Sequence, residues 1–236
     1  DIFTALYFNL PNQTPDQPNN PNRDRLVLSN GHICPVLYAC LARAGYFPLV
    51  KLKSLRQLNS KLQGHPHNLT LPGIETSSGP LGQGISQAVG MALAAKLDKR
   101  KHTIFCITSD GEHNEGQLWE AVMSAKKYKL DNLIVIVDRN NIQIDGYTKN
   151  IMPIAPLKDK YITFGWRVMT MNGHNLKQII STVKKAKAVQ NKPTVIIAKT
   201  TLGKGIRFME NKYVWHGKTP SQAEADRALK KLRNAI

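Results

Sequence analysis

The 236-residue chain reads as a doubly wound α/β domain, a parallel sheet with helices on both faces. Two patterns predict it. From residue 102 onward, short Ile- and Val-rich runs alternate with helical stretches. Those runs are apolar at nearly every position, as strands buried on both faces must be. With 42% hydrophobic and 21% charged residues, the composition supports one sizeable core, so a single domain over residues 1–236 is expected.

The elements follow in order. Asp1 to Phe8 reads as a helix met in mid-course, and the chain opens on Asp rather than Met, so part of the natural N-terminus is expected to lie upstream. Pro11 to Asn22 lacks apolar periodicity and reads as a surface loop. Ser29 and Asn30 are predicted caps of a helix with Pro35 in its first turn, Val36, Leu37, Cys40 and Leu41 at helical spacing, and Gly45 as its stop. A short helix over Ser54 to Lys61 precedes a long loop, Gly64 to Gly84, and then a helix over Gln83 to Lys99. The regular part comprises strand His102 to Thr108, helix Glu115 to Lys129, strand Asn132 to Asp138 and a helical turn at Lys158 to Phe164. Strand Trp166 to Met171, helix Leu176 to Gln190 and strand Thr194 to Lys199 complete it. Residues 203–236 read as a basic C-terminal extension.

The net charge is +17, and 14 Lys or Arg face three acids from residue 177 onward. Helical lysines such as Lys184, Lys185 and Lys187 read first as a solvated basic face. No zinc-finger, RRM-like or aromatic-interleaved basic motif accompanies them, so no nucleic-acid partner is expected. Cys34, Cys40 and Cys106 form neither a disulfide framework nor a CxxC pair, which fits a reducing cytoplasm. No apolar run approaches the ~20 residues that span a bilayer, and no membrane association is expected.

Two polar clusters follow adjacent predicted strands: Ser109-Asp110-Gly111-Glu112 and Asp138-Arg139-Asn140-Asn141. Ligands of parallel sheets bind beyond the carboxyl ends of the strands. The Asp110 carboxylate, the Asn140 amide oxygen and the Ile142 carbonyl are hard oxygen donors suited to Mg²⁺ or Ca²⁺. Three protein oxygens do not fill an octahedral shell, and one carboxylate leaves a dication under-neutralised, so water and a phosphate or diphosphate are expected to complete it. Gly79-Pro80-Leu81-Gly82-Gln83-Gly84, ahead of a helix, is a candidate anion cradle. Taken singly, that loop reads equally as a helix entry turn, and Asp110 as a helix cap.

Together these residues resemble the transketolase group of thiamine diphosphate enzymes, and specifically their diphosphate-binding (PP) domain. The Gly-Asp-Gly triplet followed by Asn about thirty residues later appears as Ser109-Asp110-Gly111 and Asn140. Ser29-Asn30-Gly31-His32, Gly64-His65-Pro66, Ser78 to Gly84, Glu115-Gly116, Ile144-Asp145-Gly146 and Trp215-His216-Gly217 match further blocks in family order. The resemblance implies that Asp110, Asn140 and the Ile142 carbonyl ligate a metal bridging the diphosphate. It also implies that Gly79, Pro80 and Leu81 lie along the thiamine, with Gly111 and Glu112 beside the diphosphate. His32, His65 and His216 would face the substrate channel as catalytic residues, His32 and His65 also touching the cofactor. His67, His102, His113 and His174 read as structural or surface residues. The acids matching Glu115 and Glu120 belong in the family to an interface proton relay, although acids at this spacing are equally exposed charges. Lys204 is a further candidate for neutralising diphosphate.

The implied reaction transfers a two-carbon glycolaldehyde unit from a ketose phosphate to an aldose phosphate. Ser109 departs from the family's first Gly, a change expected to be tolerated if its φ is negative. The upstream Gly-His-x-Gly-Gly block is absent. The chain also stops soon after Trp215-His216-Gly217, with no room for the pyrimidine-binding domain. It therefore reads as the N-terminal subunit of a split transketolase, working as a heterotetramer with a separate pyrimidine-domain chain. The competing readings are a subunit of a 2-oxoacid dehydrogenase E1 α or deoxyxylulose phosphate synthase type, and a non-catalytic basic binding module. The GxxGxG spacing argues against a dinucleotide site.

Overall fold

The computed structural model describes residues 1–9, 12 and 14–234. Five strands form a parallel sheet in the order β1-β2-β3-β7-β6: β1 Arg25–Leu28, β2 Ile104–Ser109, β3 Leu133–Arg139, β7 Thr194–Lys199 and β6 Arg167–Asn172. Between β3 and β6, the short strands β4 (Ile142–Gln143) and β5 (Gly146–Tyr147) pair as an antiparallel hairpin, followed by the one-turn helix α5 (Thr148–Ile151). Alternate residues of each central strand serve opposite faces. Phe105, Ile107, Ile134 and Ile136 pack with α1 (Ile2–Asn9), α2 (Cys34–Arg43) and α7 (Leu176–Lys187). Ile104, Cys106, Val135 and Val137 pack with α3 (Gln83–Leu97), α4 (Gly116–Lys127) and α6 (Leu157–Thr163). The sheet advances from β1 through β2 and β3 to the far edge at β6 with α3, α4 and α6 on one face. It then steps back to β7 with α7 on the other, as right-handed crossovers require.

The doubly wound expectation holds, and each strand predicted from residue 102 onward lies within two residues of an observed one. Several expectations differ. β1 went unread because Arg25-Leu26-Val27-Leu28 is short and follows charged residues; it is recruited by parallel pairing with β2. Ser29 and Asn30 do not cap α2: no side-chain cap bond forms there, and both are buried. The helix predicted at Ser54 to Lys61 lies earlier, as a 3₁₀ segment over Leu49–Ser54. Of the predicted Pro11 to Asn22 loop, Pro11 lies outside the described residues, as does Gln13.

The basic extension is folded over its described part. A strap from about residue 200 leads through a 3₁₀ turn (Tyr213–His216) to α8 (Gln222–Arg233). This helix begins at a reciprocal cap in which the Ser221 hydroxyl accepts from the Glu224 N–H and Glu224 accepts from the Ser221 N–H. Arg227 stacks on Phe208 at 3.9 Å, and Phe208 meets Trp215 edge to face at 5.5 Å. Trp215 Nε1 donates to the Phe208 carbonyl at 3.1 Å. α8 thereby holds the strap that carries His216.

Candidate functional site at the strand tips

The β2–β3 register puts Ser109 opposite Asp138, so the two polar clusters leave the sheet side by side. Asp110 is fully buried, and its backbone N–H donates to the Asp138 carbonyl. Its Oδ1 accepts from the Gly111 N–H at 2.8 Å, and its Oδ2 accepts from the Asn141 N–H. Asn141 has φ +65°, a left-handed conformation that Asn tolerates better than most residues. That turn aims two successive amides inward: Asn141 N–H at Asp110, and Ile142 N–H at Asn140 Oδ1, 2.8 Å away. Asn140 Nδ2 donates to Asp138 Oδ2 at 3.2 Å, and the Thr200 hydroxyl donates to Asp138 Oδ1. The Asn140 amide is thereby oriented, with the second lone pair of its oxygen free. Burial pushes the Asp110 carboxyl up to about 6, with the Asn141 N–H and the Arg139 guanidinium pulling the other way. Burial likewise raises Asp138.

This donor set fits a hard dication. One carboxylate and one amide oxygen, each with a lone pair to spare, stand on adjoining tips, and the Ile142 carbonyl follows two residues on. An ion would relieve the desolvation that now protonates Asp110 more readily.

The glycine loop behaves differently from the anion cradle read in the sequence. Glu112 is fully buried, and its Oε1 accepts from the Gly82 N–H at 2.7 Å and from the Ser29 hydroxyl. Its Oε2 accepts from the Ser109 N–H at 3.2 Å. The anion at the entrance to α3 is therefore the protein's own carboxylate, and the Glu112 side chain is turned inward, tying together the loops that carry His32, Gly79 and Asp110. Burial raises its carboxyl against the pull of these donors. The glycines serve loop packing: a Cβ on Gly31 would lie 2.5 Å from Ser78 Oγ and 2.9 Å from the Gly79 nitrogen, and one on Gly84 2.5 Å from Ser29 Cα. Ser109 is absent from the described residues with positive φ, and its hydroxyl accepts from the Glu112 N–H at 3.3 Å, which explains how Ser stands where the motif has Gly.

His32 and His216 face each other with ring centroids 5.1 Å apart on the wall of a cavity of about 350 Å³, which Asn140, Asp138 and Asn30 also line. Burial lowers His32 to about 4, with His216 and His65 adding to the effect. Burial also lowers His216, against the opposing charge of Asp138. Both rings are neutral at pH 7, able to donate from one nitrogen and accept at the other. Asn30 Oδ1 is buried without a partner, an acceptor on the cavity wall and not the helix cap expected of it. His65 is exposed and flanks Gly79, whose Cβ position lies 3.5 Å from its ring. Pro80 and Leu81 are exposed beyond it. His65, Gly79 and Asp110 stand outside the walls of this cavity.

His174 also lines the cavity, yet both ring nitrogens are taken: Nδ1–H donates to Asp1 at 2.8 Å, and Nε2 accepts from the Thr201 N–H at 2.8 Å. His113 is buried, donating to the Ser109 carbonyl at 2.8 Å and accepting from the Tyr161 hydroxyl at 3.0 Å, a structural imidazole as expected. Glu115 and Glu120 are exposed. Lys204 lies 3.7 Å from Glu210.

The chain matches the family described as transketolase, thiamine diphosphate binding domain, over residues 1–234. It is 48% identical over 216 residues to the 6-deoxy-6-sulfo-D-fructose transketolase subunit SqwG of Clostridium sp. (strain MSTE9), covering 92% of this chain and 78% of that one. It is 42% identical over 234 residues to a protein of Actinobacillus succinogenes named as one subunit of an apulose-4-phosphate transketolase, covering 99% and 84%. Among solved structures, transketolase from Campylobacter jejuni superposes with a TM-score of 0.92 at 38% identity, covering 98% of this chain but 37% of that one. The chain belongs to the transketolase family, as its thiamine diphosphate-binding domain.

Proposed function

We propose that this transketolase-family chain is the diphosphate-binding subunit of a split transketolase, completed by a separate pyrimidine-domain chain in a heterotetramer. The two relatives above carry the word subunit in their names, and the chain covers 78% and 84% of their lengths, which supports a divided enzyme. The reaction is transfer of a two-carbon glycolaldehyde unit from a ketose to an aldose phosphate, in the cytoplasm. Those relatives are named for a 6-deoxy-6-sulfo sugar and a 4-phosphate, so the donor class proposed here is a ketose with an anionic terminal group, phosphate or sulfonate.

Asp110, Asn140 and the Ile142 carbonyl would hold Mg²⁺ or Ca²⁺ against the diphosphate, beside Gly111, and Gly79 to Leu81 with His65 would flank the thiamine. When bound, thiamine diphosphate supplies the electron sink for carbon–carbon cleavage. The protein's own contribution lies with the imidazoles. Neutral His32 and His216 offer N–H donors to sugar hydroxyls and nitrogen acceptors for their protons, in a recess that limits water. Asp138 sits where it favours a proton arriving on His216. Asn30 Oδ1 offers one more acceptor.

The carrying observation is the meeting of His32 and His216 beside Asn140 on one cavity wall. The test is an assay of the chain with its co-purifying partner, thiamine diphosphate and Mg²⁺, on ketose and aldose phosphates and on a 6-sulfonated ketose. Two-carbon transfer supports the reading. Binding of cofactor with turnover of 2-oxoacids instead would replace it with the dehydrogenase reading, and no cofactor binding at all would favour the basic binding module.

A further inference from the structure

Arg139 ends β3 one residue before Asn140, and its guanidinium approaches the Asp110 oxygen that Asn141 already holds, Nη1 to Oδ2 at 3.5 Å. That is an ion pair without a hydrogen bond. Nη1 is itself buried and has no hydrogen-bond partner, while the Asp110 carboxylate is wholly enclosed. The other carboxylate close by, Asp138, directs one oxygen to Thr200 and the other to Asn140 Nδ2. Asp110, the carboxylate read as the metal ligand, is therefore matched by a fixed positive charge. Arginine cannot shed that charge by deprotonation.

We infer that Arg139 makes cation binding at the strand tips conditional on the diphosphate: it holds Asp110 in place while cancelling the charge that would draw a dication there alone. The inference rests on the reading of Asp110, Asn140 and the Ile142 carbonyl as the metal site. Its physical basis is the Coulomb term. At a separation of roughly 6 Å, repulsion between a guanidinium and a dication would be worth about tenfold in affinity even at the dielectric of water. The diphosphate, carrying several negative charges, outweighs a single guanidinium. Metal and cofactor then enter as a unit, and Arg139 acts as a positioning residue.

The test is titration of the full chain, in its native assembly, with Mn²⁺ as the probe, following the free-ion EPR signal with and without thiamine diphosphate. Wild type, Arg139→Met and Arg139→Lys are compared, with Asp110→Asn as the control that removes the site. Arg139→Met is expected to take up Mn²⁺ alone at least about tenfold more tightly than wild type, whereas Arg139→Lys, which keeps the charge, stays within about threefold of it. Equal affinity of wild type and Arg139→Met for Mn²⁺ alone overturns the inference. So does an Arg139→Lys protein that behaves like Arg139→Met, since lost packing rather than charge would then be responsible. If wild type takes up no Mn²⁺ even with saturating thiamine diphosphate, the metal-site reading itself falls, and the inference with it. Should Arg139→Met fail to fold by circular dichroism, Arg139→Gln provides the same comparison.

Discussion

Replacing Glu112 by Ala strips the acceptor from three donors at once: the Gly82 and Ser109 amides and the Ser29 hydroxyl. The hydroxyl can turn, but the two backbone groups cannot. A buried donor left without its acceptor costs about 1–3 kcal/mol, so the amides alone set a range of about 2–6 kcal/mol. Removing a carboxylate whose ionisation is already disfavoured by burial returns part of that, leaving a destabilisation of about 3 kcal/mol. Glu112→Gln keeps the volume and one oxygen, but sets an NH₂ against an N–H, for about 1–2 kcal/mol. Urea unfolding at pH 7 measures both, with an unchanged m-value showing that the same surface is exposed. Amide exchange at Gly82 and Ser109 is expected to quicken in the Ala variant. If that variant unfolds within about 1 kcal/mol of wild type with those amides still protected, Glu112 does not hold the three loops together.

Other consequences are open to test. His113 is held neutral, with burial lowering it from 6.5 to about 4, so its contribution is present above pH 6.5 and lost as pH falls toward 4. Wild type is expected to lose about 2 kcal/mol relative to a His113→Gln variant between pH 7 and 5, read from paired urea titrations. Gly84→Ala forces a Cβ to within 2.5 Å of Ser29 Cα, and a melting-temperature drop corresponding to about 2 kcal/mol or more is expected. Asn141→Gly is expected to be near neutral, whereas Asn141→Val, in a left-handed conformation, costs about 1–2 kcal/mol by denaturant unfolding. His32→Asn and His216→Asn are expected to lower kcat of the assembled enzyme by about 10²-fold or more, with unfolding midpoints little changed.

The regular half of the fold was legible because Ile104 to Ile107, Leu133 to Val137 and Thr194 to Ala198 carry their strand character in every residue. β1 and α8 were not, since one depends on pairing with β2 and the other hides its few apolar contacts among lysines. At the site, residue type and spacing point to Asp110 and Asn140 as candidates, and the sheet register explains why their two clusters leave the sheet side by side. The inward turn of Glu112 was not legible, because an acid in such a polar cluster looks the same in sequence whether its side chain faces a ligand or the interior. Its three donors lie on segments far apart in the chain, and only folding brings them together. Arg139 went unread for a related reason: a basic residue among many carries no sign of which carboxylate it will reach.

The stack of Arg227, Phe208 and Trp215 makes the last helix a partner of His216 through rings rather than along the backbone. Exchanging the strap between relatives without its helix would leave Trp215 resting on a foreign surface, and the imidazole beside it misaimed. Grafts that exchange this part of the chain should therefore carry residues 201–233 as one cassette.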